Sequence, residues 1–368
     1  MRKTLLALTM AVCTGTVACE DALEPPAARE AAVLPATGAS GITVMTRNVY
    51  LGFDIDALLA GQMELGAALE ALAATDFPAR AGALADEIAA TRPHLVGLQE
   101  VIDYRVQVPG DFLSTFVPNA TTPMLPFLAI LMQQLDARGL DYHVVVKNPT
   151  TDVEVPMFTS LTDYMDIRYT DHDVILRRGD VQVEDVTADT FQARITFNLG
   201  GIPGERPLGY AAVEAVANGT PLLFVSTHLE TQSSPDVQVA QIEELIDWMD
   251  AQELPIVLVG DLNSAANASA PADTKTDTYG LLLEAGFHDV WLRGNPNREG
   301  LTCCHATDLV SPNTFDQRID LIMLRDGAAK LVGGVQAAIV GVGPFQASQP
   351  RWASDHAGVV ATLRLPQR

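Results

Sequence analysis

The sequence predicts an α/β protein built from two packed mixed β-sheets with helices on their outer faces. Short runs rich in Val, Ile and Leu alternate with Ala- and Leu-rich stretches of helical spacing. A hairpin signal at Asn218-Gly219 interrupts this alternation, so the connections are mixed, which favours two packed sheets over one parallel sheet. The 368 residues, 48% of them apolar and 19% charged, are ample for a large core.

In the first half of the chain, each element is predicted from its local pattern. Strands are expected where β-branched and apolar residues run or alternate, over 42–49, 95–101, 142–146 and 173–176. Helices are expected where Ala and Leu recur at helical spacing, over 54–75, 79–90 and 125–135. Residues 109–126 look loop-like, and the mixed stretch 148–170 is expected to be an irregular loop that shapes the substrate site.

The second half is predicted to contain more strand than helix. Residues 180–183 are expected to pair with 173–176 across the Arg178-Gly179 turn. The further strands are expected over 210–216, 222–226, 256–259, 318–324 and 359–363. Amphipathic spacing predicts a helix over 237–252, and a short helix over 279–284 ends at Gly286.

The N-terminus has the pattern of an export signal. A basic start and a short apolar run predict a signal peptide over 1–18, followed by an Ala-, Pro- and Glu-rich flexible tether over 19–40 and a single domain over 41–368. The residues before Cys19 resemble a bacterial lipobox, which predicts an exported protein anchored to the cell envelope through a lipid on Cys19. Cleavage near Ala18, giving a secreted protein, is the alternative.

Charge and cysteine content restrict the function. The formal net charge of −23 opposes non-specific nucleic-acid binding, although it leaves open a nuclease that holds its substrate through a metal. The predicted mature domain has only the adjacent Cys303 and Cys304, which predict either a vicinal disulfide or a thiol pair. Together with His305 they could suggest zinc, but zinc-ligating cysteines are normally two to four residues apart.

Six predicted strand ends carry polar side chains. The clearest is Asp320, because a carboxylate flanked by Ile319 and Leu321 is costly to bury unless it is paired or metal-bound. The full set is Asn48, Glu100, His228, Asp261 with Asn263, Asp320, and Asp355 with His356. Gly-Asp-Leu-Asn at 260–263 could alone be a turn, but six such ends predict one site at the edge of a sheet.

The motifs at these strand ends occur in the order of a known family. They are Arg-Asn-Val (47–49), Leu-Gln-Glu-Val (98–101), Ser-Thr-His-Leu (226–229), Gly-Asp-Leu-Asn-Ser (260–264), Arg-Ile-Asp-Leu-Ile (318–322) and Ser-Asp-His-Ala-Gly (354–358). Together they resemble the endonuclease/exonuclease/phosphatase superfamily, the DNase I-like metal-dependent phosphoesterases, over about 42–365. Residues 47–52 look like an exported bacterial subgroup. The resemblance implies a four-layer αββα sandwich and a phosphate-ester hydrolase assisted by Mg²⁺ or Mn²⁺.

The resemblance also implies a role for each residue. Glu100 would be the principal metal ligand, with Asn48 and Asp355 beside it, since hard oxygen ligands suit Mg²⁺. Asp261 would deprotonate the attacking water. Asn263 and His356 would contact the phosphate, Asp320 would hold the ring of His356, and His228 would be the second histidine of the DNase I and sphingomyelinase branches. A carboxylate base, a metal and imidazolium donors are also what phosphate-ester hydrolysis requires chemically.

The substrate is the least determined part of the prediction. A phosphodiesterase acting as a nuclease is expected first, because His228 and His356 occur together with the export signal. The alternatives are a phospholipid or inositol-phosphate phosphoesterase, with the apolar region 112–127 in contact with lipid, and a non-catalytic surface binding protein on the same scaffold. A monomer is expected. Asp171 or Asp173, just before a predicted strand, could hold the ring of His228.

Overall fold

The computed structural model describes residues 41–311, 314–325 and 334–365. The predicted signal peptide and tether, with Cys19, lie outside these ranges. The described helices are α1 Ile55–Leu59, α2 Leu65–Ala74, α3 Phe77–Thr91, α4 Phe112–Thr115, α5 Phe127–Ala137, α6 Pro235–Asp250, α7 Thr278–Glu284 and α8 Val290–Gly294. None of these helices is long and apolar enough to cross a membrane.

Eight strands form sheet A, whose main path runs β15-β16-β1-β2-β6-β3-β4, with β5 paired to β6. They are β1 Ile42–Asn48, β2 Leu95–Gln99, β3 Asp103–Gln107, β4 Thr122–Pro126, β5 Tyr142–Phe158, β6 Tyr164–Arg178, β15 Gln336–Val340 and β16 Gly358–Leu363. The pair β1–β2 is parallel, whereas β1–β16 and β2–β6 are antiparallel.

Six strands form sheet B in the order β13-β14-β12-β11-β10-β7. They are β7 Gln182–Thr190, β10 Gly209–Ala217, β11 Thr220–His228, β12 Ile256–Asp261, β13 His288–Asp289 and β14 Asp320–Arg325. The strands β8 Ile195–Leu199 and β9 Ile202–Arg206 pair only with each other, as a separate hairpin. In sheet B the central pair β11–β12 is parallel, and β14 joins it antiparallel.

Three apolar clusters define the layers of the sandwich. Between the sheets, side chains such as Val44 from sheet A and Phe224 and Val257 from sheet B form one cluster. Helices α2, α3 and α5 cover the outer face of sheet A, and α6 and α7 cover that of sheet B. Burial of these faces is the main favourable contribution to folding. The prediction of an αββα sandwich with mixed sheets is therefore confirmed.

The interpretation of 148–170 as an irregular loop was wrong. These residues belong to the long β5–β6 hairpin, in which β6 pairs with β5 from Tyr142↔Arg178 to Phe158↔Tyr164. Two register shifts in β5, next to Val144 and Pro149, break the alternation that a strand prediction needs. Strand β5 pairs only with β6, and an edge strand tolerates proline because its outward N–H groups need no partner.

Other expectations also need correction. Residues 180–183 do not pair with 173–176, because β7 joins sheet B beside β10, whereas β6 lies in sheet A. The stretch 54–75 is not one helix but α1 and α2, separated at 60–64. The segment 109–126 contains α4 and β4. Strands β3, β8, β9 and β15 were not predicted, because segments of only five residues carry little periodic signal.

Candidate active site

Three neighbouring strands of sheet B deliver three site residues in one row. The register pairs His228 of β11 with Asp261 of β12, and Asp261 with Asp320 of β14. Directly paired residues project to the same face of a sheet, so these side chains meet. The Oδ2 atom of Asp261 lies 3.7 Å from His228 Nε2, and all three side chains are buried.

Sheet A contributes Asn48 and Glu100 from the ends of the parallel strands β1 and β2. The Nδ2 group of Asn48 donates hydrogen bonds to Glu100 Oε1 at 2.9 Å and to Asp261 Oδ2 at 3.0 Å. Its Oδ1 accepts a hydrogen bond from the Tyr50 backbone N–H, at 2.9 Å. Asn48 therefore joins the two sheets at the site, and in this arrangement its amide nitrogen, not its oxygen, faces the carboxylates.

The segment before β16 supplies Asp355 and His356. His356 Nδ1 donates a hydrogen bond to Asp320 Oδ2 at 2.9 Å and lies 3.7 Å from Asp261 Oδ2. The Ser354 hydroxyl donates to the Asn48 backbone carbonyl at 2.8 Å, which fixes this segment against β1. His356 is thus oriented by a carboxylate of sheet B, while its backbone leads into β16 of sheet A.

Asn263 completes the cluster from the turn after β12. It has a positive φ of 49°, and its backbone N–H donates to Asp261 Oδ1 at 3.0 Å, as in an Asx-turn. Its Nδ2 donates to the Leu229 carbonyl at 2.9 Å and lies 3.2 Å from His228 Nε2. The structure therefore brings all eight predicted site residues into one connected cluster, while their individual roles stay predictions.

Burial and mutual repulsion shape the acidic groups of the site. The pKa of Asp355 is raised to about 7, mainly by burial and also by the nearby charges of Glu100 and Asp261, while His356 and Arg80 act to lower it. Burial also raises the pKa of Glu100, although the hydrogen bond from Asn48 opposes this. Buried carboxylates that lie close together destabilise each other's charged form. A bound cation would relieve this repulsion.

The pKa values of the two histidines are shifted in opposite directions. Burial alone would lower the pKa of His356, but the charges of Asp320, Asp261 and Asp355 raise it well above the ordinary value. Burial lowers the pKa of His228 to about 4, because the attraction to Asp261 is too weak to compensate. At neutral pH the site therefore contains one imidazolium, His356, and one neutral imidazole, His228.

The donor set fits a hard divalent cation. Glu100 and Asp355 offer carboxylate oxygens, Glu100 lies close enough to raise the pKa of Asp355, and both side chains are only partly buried. Such oxygens suit Mg²⁺ or Mn²⁺. The same edge of the molecule also holds Asp261 and the two histidines, so a cation held by these carboxylates would share the cleft with a base and a proton donor.

The structure answers two questions about neighbouring residues. Within the described ranges, no hydrogen bond or ion pair joins His228 to Asp171 or Asp173, so the suggestion that one of them holds its ring was wrong. Cys303 and Cys304 form a vicinal disulfide, and Cys304 Sγ lies 3.9 Å from His356 Nε2. The disulfide uses both sulfur atoms that the zinc alternative needs as thiolate ligands, and the ring of His305 stacks on Trp352.

Several supporting residues were missed from sequence. Gln238 of α6 is fully buried and donates through Nε2 to the carbonyls of Asn263, at 2.9 Å, and Glu230, at 2.5 Å. Arg47 donates to the His356 carbonyl at 2.5 Å and pairs with Glu87 at 2.9 Å. The usable signal was a glutamine on the apolar face of a helix, and an arginine inside a buried strand.

The cleft in front of these residues is polar and acidic. Its lining includes Asn263, Ile319, Gln317, His356 and the disulfide, together with Asp56, Asp273, Thr274 and residues 231–233. None of the described residues that line it is a lysine or an arginine. The opening therefore offers hydrogen-bond donors and acceptors, but few charges that would attract a long polyanion.

Comparison with solved structures shows the same fold elsewhere. An endonuclease/exonuclease/phosphatase family protein from Bacteroides thetaiotaomicron matches with a TM-score of 0.54 and 14% identity, over 88% of this chain and 97% of the other. A mannosyl-6-phosphatase from the same organism matches with a TM-score of 0.53 and 14% identity, over 88% and 99%. The TDP2 protein of D. rerio, in complex with a single-strand DNA product, matches with a TM-score of 0.50 and 17% identity, over 88% and 99%.

A search of curated proteins finds no match to this sequence. The model of the Endonuclease/Exonuclease/phosphatase family, in contrast, matches residues 48–356, which begin and end on site residues and cover most of the chain. The strand order, the layers and the connected cluster of polar strand ends agree with that match. The chain therefore belongs to the endonuclease/exonuclease/phosphatase family, whose members are metal-dependent hydrolases of phosphate esters.

Proposed function

We propose that this phosphoester hydrolase cleaves a small phosphodiester with Asp261 as the base and His356 as the charged donor. One observation carries the proposal: Asp261 Oδ2 lies 3.7 Å from both His228 Nε2 and His356 Nδ1, and the Asn48 amide joins it to Glu100. A base, a charged donor and a potential cation ligand are thus within reach of one substrate phosphate.

Asp261 is placed to accept a proton from a water molecule. Its Oδ1 accepts a hydrogen bond from the Asn263 backbone N–H, and its Oδ2 accepts one from Asn48, so the carboxylate is held in one orientation. An oriented carboxylate that takes a proton from water as it attacks phosphorus is a general base. The side-chain amide of Asn263, beside His228, can donate to a phosphate oxygen at the same place.

His356 supplies positive charge where the transition state gains negative charge. Asp320 holds Nδ1, so Nε2 is the nitrogen left to face the cleft, on the side of Cys304. A fixed imidazolium stabilises an oxygen that is becoming negative, and it can give that oxygen a proton. His228 is neutral and can therefore accept a hydrogen bond from the substrate or from water.

Glu100 and Asp355 would hold the divalent cation of this family, with the Asn48 amide beside them. A Mg²⁺ or Mn²⁺ ion bound there supplies Lewis-acid polarisation of the phosphoryl oxygens and neutralises their charge. Chelation is expected to abolish turnover.

A small diester is favoured over a nucleic acid by the charge of the cleft. Nucleic-acid affinity depends on lysine and arginine side chains that neutralise successive phosphates, whereas the described lining has none and the chain carries a net charge of −23. The nuclease predicted from sequence thus becomes one outcome of the test. The fold match to D. rerio TDP2 does not decide this point, since likeness at 17% identity concerns the fold alone.

A phospholipid head group is the second candidate, and exposed apolar side chains favour it. Phe116 is 68% exposed, Val117 56%, Phe158 60% and Leu161 fully exposed. They lie next to α4 and at the tip of the β5–β6 hairpin, two segments joined by a hydrogen bond from Gly110 N to the Tyr164 carbonyl. Such a patch on a soluble domain suits contact with a lipid surface. Export and lipidation of Cys19, which would bring the enzyme to a membrane, stay part of this proposal.

The roles of the base and the charged donor are tested with two substitutions. One keeps the shape of the aspartate side chain, and the other removes the imidazole ring. Asp261→Asn and His356→Ala are each expected to lower kcat on bis-p-nitrophenyl phosphate with Mg²⁺ by at least ~100-fold, the scale of losing a general base or a charge-stabilising donor. Matched controls are Asp141→Asn and His143→Ala, an exposed ion pair at the opposite edge of sheet A from Glu100. Equal activity of wild type and Asp261→Asn would refute the assigned base.

The substrate is tested on the wild-type protein with a panel. Glycerophosphodiesters, phosphatidylcholine and sphingomyelin vesicles, a hexose 6-phosphate, plasmid DNA and single-stranded DNA are compared at equal Mg²⁺ concentration. Faster turnover of a small diester supports the first proposal, and release of phosphocholine from vesicles supports the second. Degradation of DNA with no turnover of the small diesters would restore the nuclease prediction.

A further inference from the structure

A second acidic cluster lies on the β5–β6 hairpin, away from the site described above. Asp111 precedes α4, Glu154 is on β5 and Asp166 is on β6. Each offers a carboxylate oxygen, and these atoms all lie within 4.8 Å of one another. Glu154 is 1% exposed and Asp166 is fully buried. Buried carboxylates at this spacing destabilise the fold unless something neutralises them.

Each buried carboxylate uses one oxygen for the backbone and leaves the other without a partner. Asp166 Oδ2 accepts hydrogen bonds from the N–H groups of Asp111, at 2.6 Å, and Phe112, at 3.0 Å, and Glu154 Oε2 accepts one from Ala120 at 2.8 Å. In this cluster, four buried oxygens have no hydrogen-bond partner: Asp166 Oδ1, Glu154 Oε1, Asp111 Oδ1 and the amide oxygen Asn119 Oδ1. The amide nitrogen of Asn119 donates to Asp111 Oδ2 at 3.3 Å, so its side chain belongs to the same cluster.

Two arginines lie near the cluster in the sheet register, and within the described residues neither forms an ion pair with it. Arg168 stands directly opposite Glu154 in the β5–β6 register, yet its guanidinium binds Asp152 with two hydrogen bonds, at 2.9 and 2.6 Å. Arg105 donates its Nη2 to Thr170, and its Nε makes no hydrogen bond. The unpartnered oxygens therefore have no described cationic side chain as a partner, and four of them in one cluster require an explanation such as a bound ion.

We propose that Asp111, Asn119, Glu154 and Asp166 form a calcium-binding site that holds the α4 segment on the β5–β6 hairpin. Calcium takes six to eight oxygen ligands in irregular geometry, from carboxylates, amide carbonyls and water. Three carboxylates and one amide oxygen match that preference, and Asp111, which is only partly buried, leaves access for water. Magnesium, which demands a near-ideal octahedron and keeps several waters, fits a loop-built site less well.

The site would control a part of the molecule beside the catalytic edge. The backbone of Val101, next to Glu100, donates to the His172 carbonyl, so β6 passes the active site at residue 172. Asp166 lies six residues before His172 in this strand, a distance of about 20 Å at the rise of a β-strand. The cation thus braces the projecting end of the hairpin, together with the segment that carries Phe116. This inference does not depend on the proposed substrate or on the catalytic roles.

The test is calcium binding by the intact protein after removal of metals with EGTA. Isothermal titration with Ca²⁺, followed by thermal unfolding, is carried out on wild type, Glu154→Gln and, as a control for the catalytic cluster, Glu100→Gln. Wild type and Glu100→Gln are expected to gain about 4 °C in Tm at Ca²⁺ 100-fold above Kd. Glu154→Gln is expected to gain nothing and, without calcium, to melt no lower than metal-free wild type, because it removes one of three repelling charges.

A terbium probe tests whether the ion binds at this cluster. A methyl group built on Gly110 would lie 2.5 Å from the ring of Tyr164 and 2.8 Å from Asp166 Oδ1, so the ring is within about 5 Å of the cluster. Terbium bound there should give tyrosine-sensitised emission that Ca²⁺ displaces and that Tyr164→Phe removes. If Glu154→Gln does not fold, Asp111→Asn, at the partly buried member, replaces it. A calcium response that survives both substitutions, or a wild type that responds only to Mg²⁺ or to acidification, overturns the proposal.

Discussion

At the scale of single residues, His356 is set apart from His228 by one neighbouring carboxylate. Both rings are buried and both lie 3.7 Å from Asp261, but only His356 donates to Asp320. Since burial disfavours an imidazolium, the charge on His356 depends on the carboxylates around it. Asp320 therefore acts as a positioning residue that orients the ring and stabilises its protonated form.

Replacing Asp320 by Asn should separate these roles in a pH profile. Loss of the negative charge lowers the pKa of His356, because Asp320 raises it in the wild type. A group with a raised pKa stays protonated up to that pKa, so lowering the pKa moves the loss of imidazolium to lower pH. We expect kcat/KM to fall about 10- to 100-fold, the usual effect of removing such an orienting partner, and its basic limb to shift to lower pH.

The matched control for this experiment is Asp316→Asn, an exposed position four residues earlier in the chain. It should keep the wild-type profile. A reduced kcat/KM in Asp320→Asn with an unmoved basic limb would show that Asp320 only packs against the ring and does not set its charge.

The residues of the site were predictable because each is a polar group at the end of an apolar run. Asp261 and Asp320 sit at opposite ends of their own strands, yet antiparallel pairing puts them side by side. Their partners were harder to predict. Asp171 looked suitable for His228 from sequence, but its backbone lies in sheet A, whereas His228 contacts Asn263 in the turn after β12 of sheet B.

At the scale of elements, α3 holds the active-site loops through one buried arginine. Arg80 is fully buried and donates to the carbonyls of Val49 at 2.6 Å, Tyr50 at 3.1 Å and Ala353 at 3.1 Å, besides Thr75. Its guanidinium also lies 4.9 Å from the centre of the Phe77 ring. The loops after β1 and before Asp355 are thereby tied to one helix, which burial alone would not achieve.

Arg80→Met should therefore destabilise the fold strongly. Methionine keeps much of the apolar volume but leaves four buried carbonyls without their donor, which costs about 3 kcal/mol or more in the free energy of unfolding. Equilibrium unfolding in urea measures this. Arg138→Met, which removes a partly exposed arginine just after α5 that pairs with exposed Asp86, should cost less than about 1 kcal/mol. Equal losses in both variants would contradict the role of Arg80.

Helices and strands were predictable where the local sequence has one clear hydrophobic period. They were not predictable where pairing with a distant strand determines the structure. Helix α3 and strands β2 and β12 follow from periodicity or from an unbroken apolar run. The β5–β6 hairpin was missed because β5 contains register shifts and prolines that only its partner strand compensates. The second acidic cluster was not predicted for the same reason, since Glu154 and Asp166 become neighbours only through the pairing of β5 with β6.

At the scale of the whole molecule, the active site depends on how the two sheets stack. Glu100 and Asn48 come from sheet A, and Asp261 and His228 from sheet B, so the spacing between sheets sets the distance from the metal ligands to the base. Polar contacts fix that stacking as well: the Gln99 side chain of β2 donates to Ser226 Oγ of β11 at 3.1 Å. A layered architecture was predictable from the order of elements, but the closest approach of the layers was not.

Gly97 marks that closest approach and gives the sharpest test of this dependence. A Cβ at Gly97 would lie 2.6 Å from both Ser226 Oγ and Val259 Cγ2, closer than atoms can pack, so Gly97→Ala must move sheet B away from β2. We expect a loss of about 1–3 kcal/mol in the free energy of unfolding, as for other overpacked cores. Because Glu100 is three residues further along the same strand, kcat should fall about 10-fold or more while KM changes less, since displacements of about 1 Å can cost up to about 100-fold in rate.

The control is Gly66→Ala in α2, where an added methyl group meets nothing within 4 Å. It should keep full activity and gain up to about 1 kcal/mol, because alanine favours the helix. The decisive comparison is activity at a temperature where all three proteins are folded. If Gly97→Ala loses stability but keeps the wild-type kcat, the stacking of the sheets does not set the catalytic geometry. The site residues of sheet A and sheet B would then be held together by local contacts such as the hydrogen bonds of Asn48.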